Sequence, residues 1–244
     1  MRLWVDTDVG TNPDDAVALI CARAHPAVEL VGVSTVDGDS AWRADVAREL
    51  VDTPVIDGAA LEASAVSRAD PDALLAIGPL TNVARLMATG YRPPRLAVMG
   101  GTRIPVDHRG ARQTIEHNFG AEPAAAVAVL HAGPLLLCPL DVTVRMGLDG
   151  EETDRLATAD NRLRRQLEAW ARREPGTPVC LHDPLALLAL LGEPFVKVER
   201  RSLVIGPDGA IRDDEAGAEH DVVVDVDARA AKARIFDLLE KGRR

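Results

Sequence analysis

What the sequence lacks narrows it first. Cysteine is scarce and unpaired: Cys21, Cys138 and Cys180 stand far apart in apolar surroundings, which excludes a disulfide framework and reads as reduced core thiols of a cytoplasmic protein. No stretch approaches eighteen uninterrupted apolar residues, and the first residues run straight into a strand. Neither a membrane-spanning helix nor a signal peptide is therefore expected. Positive charge is in deficit too. A formal net charge of −10 denies the chain the basic face that nucleic acid or an anionic membrane would need, and leaves small neutral or cationic ligands as the natural partners. Internal repeats and low-complexity linkers are absent. With 244 residues, 47% of them apolar, the chain can bury a full core, so residues 1–244 are expected to form one domain.

What is present in excess is acid near the start. Asp6, Asp8, Asp14 and Asp15 fall within ten positions of one another. Leu3 to Val5 reads as a short buried strand, Gly10 and Thr11 as a turn, Asn12 as an N-cap and Pro13 as the first helical residue, so Asp14 and Asp15 open a helix. Asp6 and Asp8, two apart, share a side of the extended segment, and the turn carries the second pair back towards them. Like charges at this density raise one another's pKa unless a cation holds them ionised. An all-oxygen donor set without His or Cys suits a hard ion, calcium ahead of magnesium. Helix capping and dipole effects account for Asp14 and Asp15 alone and leave the other two acids without a reason.

Downstream the chain alternates. Ala16 to Ala24 is an apolar helix stopped by His25-Pro26. Leu30 to Val36 is a strand ending in Asp37-Gly38-Asp39, and Ala41 to Val51 a helix. Short strands at Pro54 to Ile56, Leu74 to Ile77, Leu96 to Met99 and Leu135 to Leu137 are interleaved with helices at Val83 to Met87 and Ala124 to His131. This rhythm predicts an α/β fold with an open, mainly parallel, Rossmann-like sheet flanked by helices. Val198 to Ile205 and Val222 to Val226 add a small late antiparallel part, and Ala230 to Leu239 a last helix. Asp154 to Arg173, with Leu156, Leu163, Leu167 and Trp170 at helical spacing, reads as a charged surface helix. Ligands of parallel sheets bind beyond the carboxyl ends of the strands, and the strands here end in polar or glycine-rich residues.

Taken together the pieces resemble the inosine-uridine preferring nucleoside hydrolase family. The resemblance rests on Asp6-Thr7-Asp8-Val9-Gly10 with Asp14-Asp15-Ala16, Gly78-Pro79-Leu80-Thr81-Asn82, Met99-Gly100-Gly101, Glu116-His117-Asn118 with Glu122-Pro123, Leu140-Asp141-Val142-Thr143, and His182-Asp183-Pro184-Leu185. It implies one calcium ion held by Asp8, Asp15, Asp183 and the main-chain carbonyl of Thr81, with Asp6 in support. It further implies Asp14 on the ribose hydroxyls, Glu116 and Asn118 on the far side of the sugar, and His182 beside the departing base. A homodimer or homotetramer and a place in purine or pyrimidine salvage follow from the same resemblance. The sequence departs from the family's commonest form in four places. Asn12-Pro13 lengthens the first turn, Asp39 stands for an asparagine beside the pocket, Arg109-Gly110 replaces a Gly-Asn, and the 60–74 region lacks a His-Gly lid loop.

The implied activity is calcium-dependent hydrolysis of the N-glycosidic bond of a ribonucleoside or related N-riboside. Such cleavage passes through an oxocarbenium-like sugar that clustered carboxylates stabilise. Asp8 would take a proton from water and His182 would give one to the leaving base. Two alternatives stand beside it. One is a non-catalytic nucleoside- or ribose-binding protein of the same fold, suggested by Asp39, Gly110 and the short 60–74 region. The other is a haloacid-dehalogenase-like phosphatase with Asp6 as nucleophile and Asp8 as acid/base, which would need magnesium. His108, His117 and His220 are expected at the surface.

Overall fold

The computed structural model describes residues 1–242. The first half lays down β1 (Arg2–Thr7), α1 (Pro13–Ala24), β2 (Glu29–Thr35), α2 (Ser40–Leu50), β3 (Val55–Asp57), α3 (Ala63–Ala69), β4 (Ala73–Ala76), α4 (Thr81–Ala88) and β5 (Leu96–Met99). A hairpin of β6 (Val106–His108) and β7 (Ala111–Gln113) follows, then α5 (His117–Ala121), α6 (Pro123–His131), β8 (Leu136–Cys138) and α7 (Leu140–Thr143). The chain closes with α8 (Gly150–Ala159), α9 (Asn161–Arg173), α10 (His182–Leu190), β9 (Val196–Ile205), β10 (Ile211–Asp213), β11 (Ala218–Val226) and α11 (Ala228–Lys241).

Nine strands form one sheet in the order β3-β2-β1-β4-β5-β8-β11-β9-β10. Every neighbouring pair from β3 to β11 is parallel, and only β9 and β10 run antiparallel to their neighbours. The chain winds outward from β1 to β3, then returns to the other flank of β1 to begin β4. The gap between the carboxyl ends of β1 and β4 is thus a topological switch point, where an open α/β sheet offers a crevice to a ligand. The expected mainly parallel sheet with a late antiparallel part is what the chain forms.

Strand alternation divides the core. Leu3, Val5 and Leu75 pack under one face of the sheet with α1 and α10, whereas Trp4, Leu74 and Ala76 pack under the other with Val83 and Leu86 of α4. On the first face α1 is buried from Pro13 to Ala22, and α10 is buried along its whole length. A helix apolar on all sides belongs inside the protein. Burying each fully enclosed Leu or Ile contributes about 1.5–3 kcal/mol, so these two helices are fixed by the core rather than by their own propensity. Both start at the sheet's carboxyl edge, and this brings Asp14, Asp15 and Asp183 to one place.

The structure corrects several expectations. Asp154 to Arg173 is two helices, because Asp160 accepts a hydrogen bond from the Arg162 amide at 2.7 Å and caps a new start. The 60–74 region, to which the sequence assigns no element, carries α3. The hairpin β6–β7 and the strand β10 have no counterpart in the sequence reading. His220 lies fully buried on β11, and His108 packs edge-on against His182 at 5.1 Å between ring centroids, so neither is a free surface residue.

Candidate active site

A cavity of about 900 Å³ opens at the carboxyl edge, lined among others by Asp8 after β1, Asp37 after β2, Ile77 after β4, Met99 at the end of β5 and Leu140 after β8. Its floor is acidic. Carboxylate oxygens of Asp14, Asp15 and Asp183 lie within 4.8 Å of one another, and all three residues are buried. Thr7 donates from Oγ1 to Asp15 at 2.5 Å, and the Asp183 amide reaches Asp14 Oδ2 at 3.5 Å. Asp14 Oδ1 is buried with no partner. Burial raises the Asp14 pKa to about 6, and burial plus the charges of its neighbours holds Asp15 and Asp183 well above the carboxylate range. The amino ends of α1 and α10 offset part of this cost through their dipoles.

Asp8 stands beside this trio rather than in it. Its Oδ1 would lie 2.9 Å from a Cβ on Gly78, so only glycine lets the β4 edge come this close. Gly10, at φ +118°, makes the turn between Asp8 and α1, and a side chain there would strike the Trp42 ring. Burial raises the Asp8 pKa, and Arg43 is the largest influence lowering it. Arg43 is buried, with Nη2 4.0 Å from Asp8 Oδ2 and 3.0 Å from Asp37 Oδ2. It also donates to the main-chain carbonyl of Asp8 and, at 2.9 Å, to that of Asp37. The sequence reading passed over Arg43, although a signal was available: it falls on the same α2 stripe as buried Ala47 and Leu50 at i, i+4 and i+7.

The trio fits a divalent cation. Its donors are hard oxygens, Asp14 Oδ1 is buried without a partner, and no protein cation bridges the three carboxylates among the described residues. The other expected site residues are placed as follows. Asp6 lies under the opposite face, accepting from Ser34 Oγ at 2.5 Å and Asn82 Nδ2 at 2.9 Å, with burial raising its pKa to about 7. Side-chain alternation sends it there, and it does not line the cavity. Thr81 opens α4 beside Asn82, also off the cavity lining. Asp39 is exposed and caps α2 through the Trp42 amide at 3.0 Å.

Glu116 and Asn118 both line the cavity and are buried. Glu116 accepts from the amides of Asn118 at 2.8 Å, Gly101 at 2.9 Å and Phe119 at 3.2 Å. A carboxylate offers about four acceptor positions, so one remains for a ligand hydroxyl. Asn118 Nδ2 donates to the Met99 carbonyl at 3.1 Å. His182 Nδ1 lies 2.8 Å from Thr143 Oγ1, and burial lowers its pKa to about 3. The ring is neutral at pH 7, which turns the expected imidazolium donor into a neutral ring that shares hydrogen bonds. Within the Leu140–Thr143 motif, Asp141 pairs with Arg103 at 3.1 Å and Thr143 anchors His182, so these two side chains act as supports.

The cavity wall includes Arg109, which the sequence presents only as the Arg109-Gly110 replacement of a Gly-Asn, together with His108 and Trp170, which the sequence does not place at the site. Arg109 and Gly110, both at positive φ, turn the β6–β7 hairpin over the cavity. The Arg109 guanidinium lies 4.7 Å above the Trp170 ring of α9, and His108 contacts His182. An Arg-Gly pair between short alternating runs is the signal that was there to read.

Fold and site together define an α/β protein with a buried carboxylate cradle at the switch point of its sheet. The chain belongs to the inosine-uridine preferring nucleoside hydrolase family, whose model matches residues 43–235. That match contains Glu116, His182 and Asp183 but not the acids of the first loop, so the place of Asp14 and Asp15 beside Asp183 is an observation independent of it. An uncharacterized protein of Schizosaccharomyces pombe is 28% identical over 78% of this chain and 80% of its own length. The non-specific ribonucleoside hydrolase RihC of Klebsiella pneumoniae is also 28% identical, over 59% of this chain, which spans only 64% of RihC. A solved plant nucleoside hydrolase superposes with a TM-score of 0.78 at 18% identity, covering 98% of both chains, and so shares the fold.

Proposed function

We propose that this protein, as one domain over residues 1–244, hydrolyses the N-glycosidic bond of a ribonucleoside or related N-riboside, with calcium at the acidic floor. The observation that carries the reading is the trio Asp14, Asp15 and Asp183, buried and short of counter-charge in a cavity large enough for a nucleoside. Asp15 and Asp183 would hold the cation, with Asp8 and the main-chain carbonyl of Thr81 as the further donors the family resemblance suggests. The bound ion would supply the charge that keeps these carboxylates ionised and would orient the sugar diol.

The chain's own groups do the rest. Asp14 accepts hydrogen bonds from the ribose hydroxyls through its free oxygen, and Glu116 takes one more hydroxyl at its remaining position. The carboxylates oppose the positive charge that develops on the sugar before the bond is fully broken. Asp8, whose pKa burial raises towards the working range of a general base, takes the proton from water. His182 gives the base one hydrogen bond. Incubation with calcium and a nucleoside panel, assayed for reducing sugar, tests this: turnover of at least one N-riboside is expected, lost in Asp15→Asn. A metal-loaded protein inert towards every N-riboside would contradict it.

Arg43 favours a second reading, a nucleoside- or ribose-binding protein without turnover, because a cation already stands 4.0 Å from Asp8. Saturable binding of a nucleoside with no release of ribose would select it. No phosphatase reading is kept: Asp6, its required nucleophile, faces away from the cavity.

A further inference from the structure

We propose that Arg109 receives the departing base: its guanidinium, held over the cavity by the β6–β7 hairpin and the Trp170 ring, stabilises the negative charge that builds on the base as the glycosidic bond breaks. This rests on the N-riboside hydrolysis proposed above and names the residue on the leaving-group side of that reaction.

Heterolysis separates charge. The C1′–N bond breaks with its electron pair on the base nitrogen, and water forms the new O–C1′ bond, giving one proton to a carboxylate. The base nitrogen takes one proton from solvent, so the sum consumes one water. The carboxylate floor is complementary to the sugar, the positive half. The negative half needs a cation or strong donor on the facing wall, and three arginines line the cavity.

Two of them are committed. Arg43 is paired with Asp37 at 3.0 Å and sits at the Asp8 end of the floor. Arg173 lies 3.8 Å from Glu174 and donates to the Thr11 carbonyl. Arg109 has no carboxylate within ion-pair distance among the described residues: its guanidinium rests on the face of Trp170 at 4.7 Å, and its charge reaches Asp14 only as a longer-range influence that lowers the carboxyl's pKa. His182 lies on the same wall, but Thr143 Oγ1 occupies its Nδ1 at 2.8 Å and its other ring neighbour is His108, so no carboxylate supports a charge there. A guanidinium carries its charge at every working pH.

The backbone points the same way. Arg109 sits at φ +51° in a two-residue turn where Asn or Gly is the favoured choice. Turn propensity therefore does not explain an arginine at this position; the reach of its side chain over the cavity does. The neighbouring His108 ring, 5.1 Å from His182, ties the hairpin tip to α10 and so fixes where Arg109 is presented.

The test compares leaving groups. Wild type, Arg109→Met and Arg109→Lys are assayed with calcium on inosine, whose base leaves poorly, and on p-nitrophenyl riboside, whose phenolate is already a stable anion. Thermal unfolding and calcium affinity are measured in parallel. The proposal predicts that Arg109→Met lowers kcat on inosine by about 100-fold, as loss of a preorganised charge-stabilising donor does, while p-nitrophenyl riboside changes less than about threefold on the same reasoning. Arg109→Lys should retain part of the inosine rate. Equal losses on both substrates would make Arg109 a hairpin anchor and overturn the proposal, as would no loss on either. If wild type does not cleave inosine, the most active N-riboside of the nucleoside panel takes its place; a wild type inert towards the whole panel would remove the hydrolase reading itself and this inference with it. An active wild type with an unaffected Arg109→Met removes only this inference.

Discussion

The floor and the wall of the cavity are built on opposite principles. Asp14, Asp15 and Asp183 ride on the first turns of two helices that the core encloses, so their positions are set by packing that a ligand cannot alter. Arg109 sits at the tip of an exposed two-strand hairpin and leans on one face of α9, where backbone adjustment is cheap. The difference assigns the work: electrostatic preorganisation belongs to the rigid floor, and selection of what leaves belongs to the adaptable wall. It also places the energetic cost. The floor gathers three buried carboxylates that folding must desolvate, whereas the wall costs the fold little.

The comparison can be broken at the floor first, where the largest effects are expected. Asp15→Asn or Asp183→Asn should weaken calcium binding by at least about 100-fold, in line with the loss of a ligating group, and lower kcat/KM by a similar or larger factor. Calorimetry and initial rates check both. Next comes Arg43→Met, which leaves Asp8 and Asp37 without their buried cation. In chelator it should cost about 3 kcal/mol of stability, the usual penalty for breaking one partner from a buried pair, read by denaturant unfolding. With calcium present the loss should shrink.

A pH profile follows in size. Asp14 at about 6 and Asp6 at about 7 bind protons more tightly folded than unfolded, where a carboxylate ionises near 3.8. Their protonation supports the fold fully below the unfolded value, and that support is lost as pH rises through the folded values. In chelator, the melting temperature should therefore fall between about pH 4 and 7. Calcium should remove the part due to the floor but leave the part due to Asp6, which lies off the trio. Glu116→Gln should be milder, costing about 1 kcal/mol as a weakened cap and raising KM more than it lowers kcat. Asp39→Asn is the smallest change: an exposed cap replaced by an equally good one should stay within about 0.5 kcal/mol and leave KM unmoved.

The same two regions differ in how far the sequence disclosed them. Asp14 and Asp15 of the floor are legible because acids crowd there and strand, turn and N-cap signals give their approximate placement, whereas Asp183 is reached only through the family resemblance of the His182-Asp183-Pro184-Leu185 motif. Asp6 was read too close to the site, since two-residue alternation fixes which face a strand residue takes but not where the strand ends and the turn begins. The family resemblance points Asp39 at the pocket, whereas its exposed place at the start of α2 gives it a capping role. Arg43 was missed because a charge on a helix reads as solvent-facing until its stripe is checked. Arg109 and Trp170 could not be joined from sequence at all: a hairpin tip and a helix sixty residues later meet only through the packing of α9 beside α1. Buried strands and helices follow from local pattern, but contacts across the mouth of a cavity depend on how those elements are stacked.

One measurement goes to the centre of this account. Protein stripped with chelator and titrated with calcium in a calorimeter should show one saturable site in wild type, and that site should vanish in both Asp15→Asn and Asp183→Asn while each variant keeps its cooperative unfolding. Folded wild type that takes up no calcium, or variants that bind it as tightly as wild type, would mean that the three carboxylates at the starts of α1 and α10 do not meet around a cation.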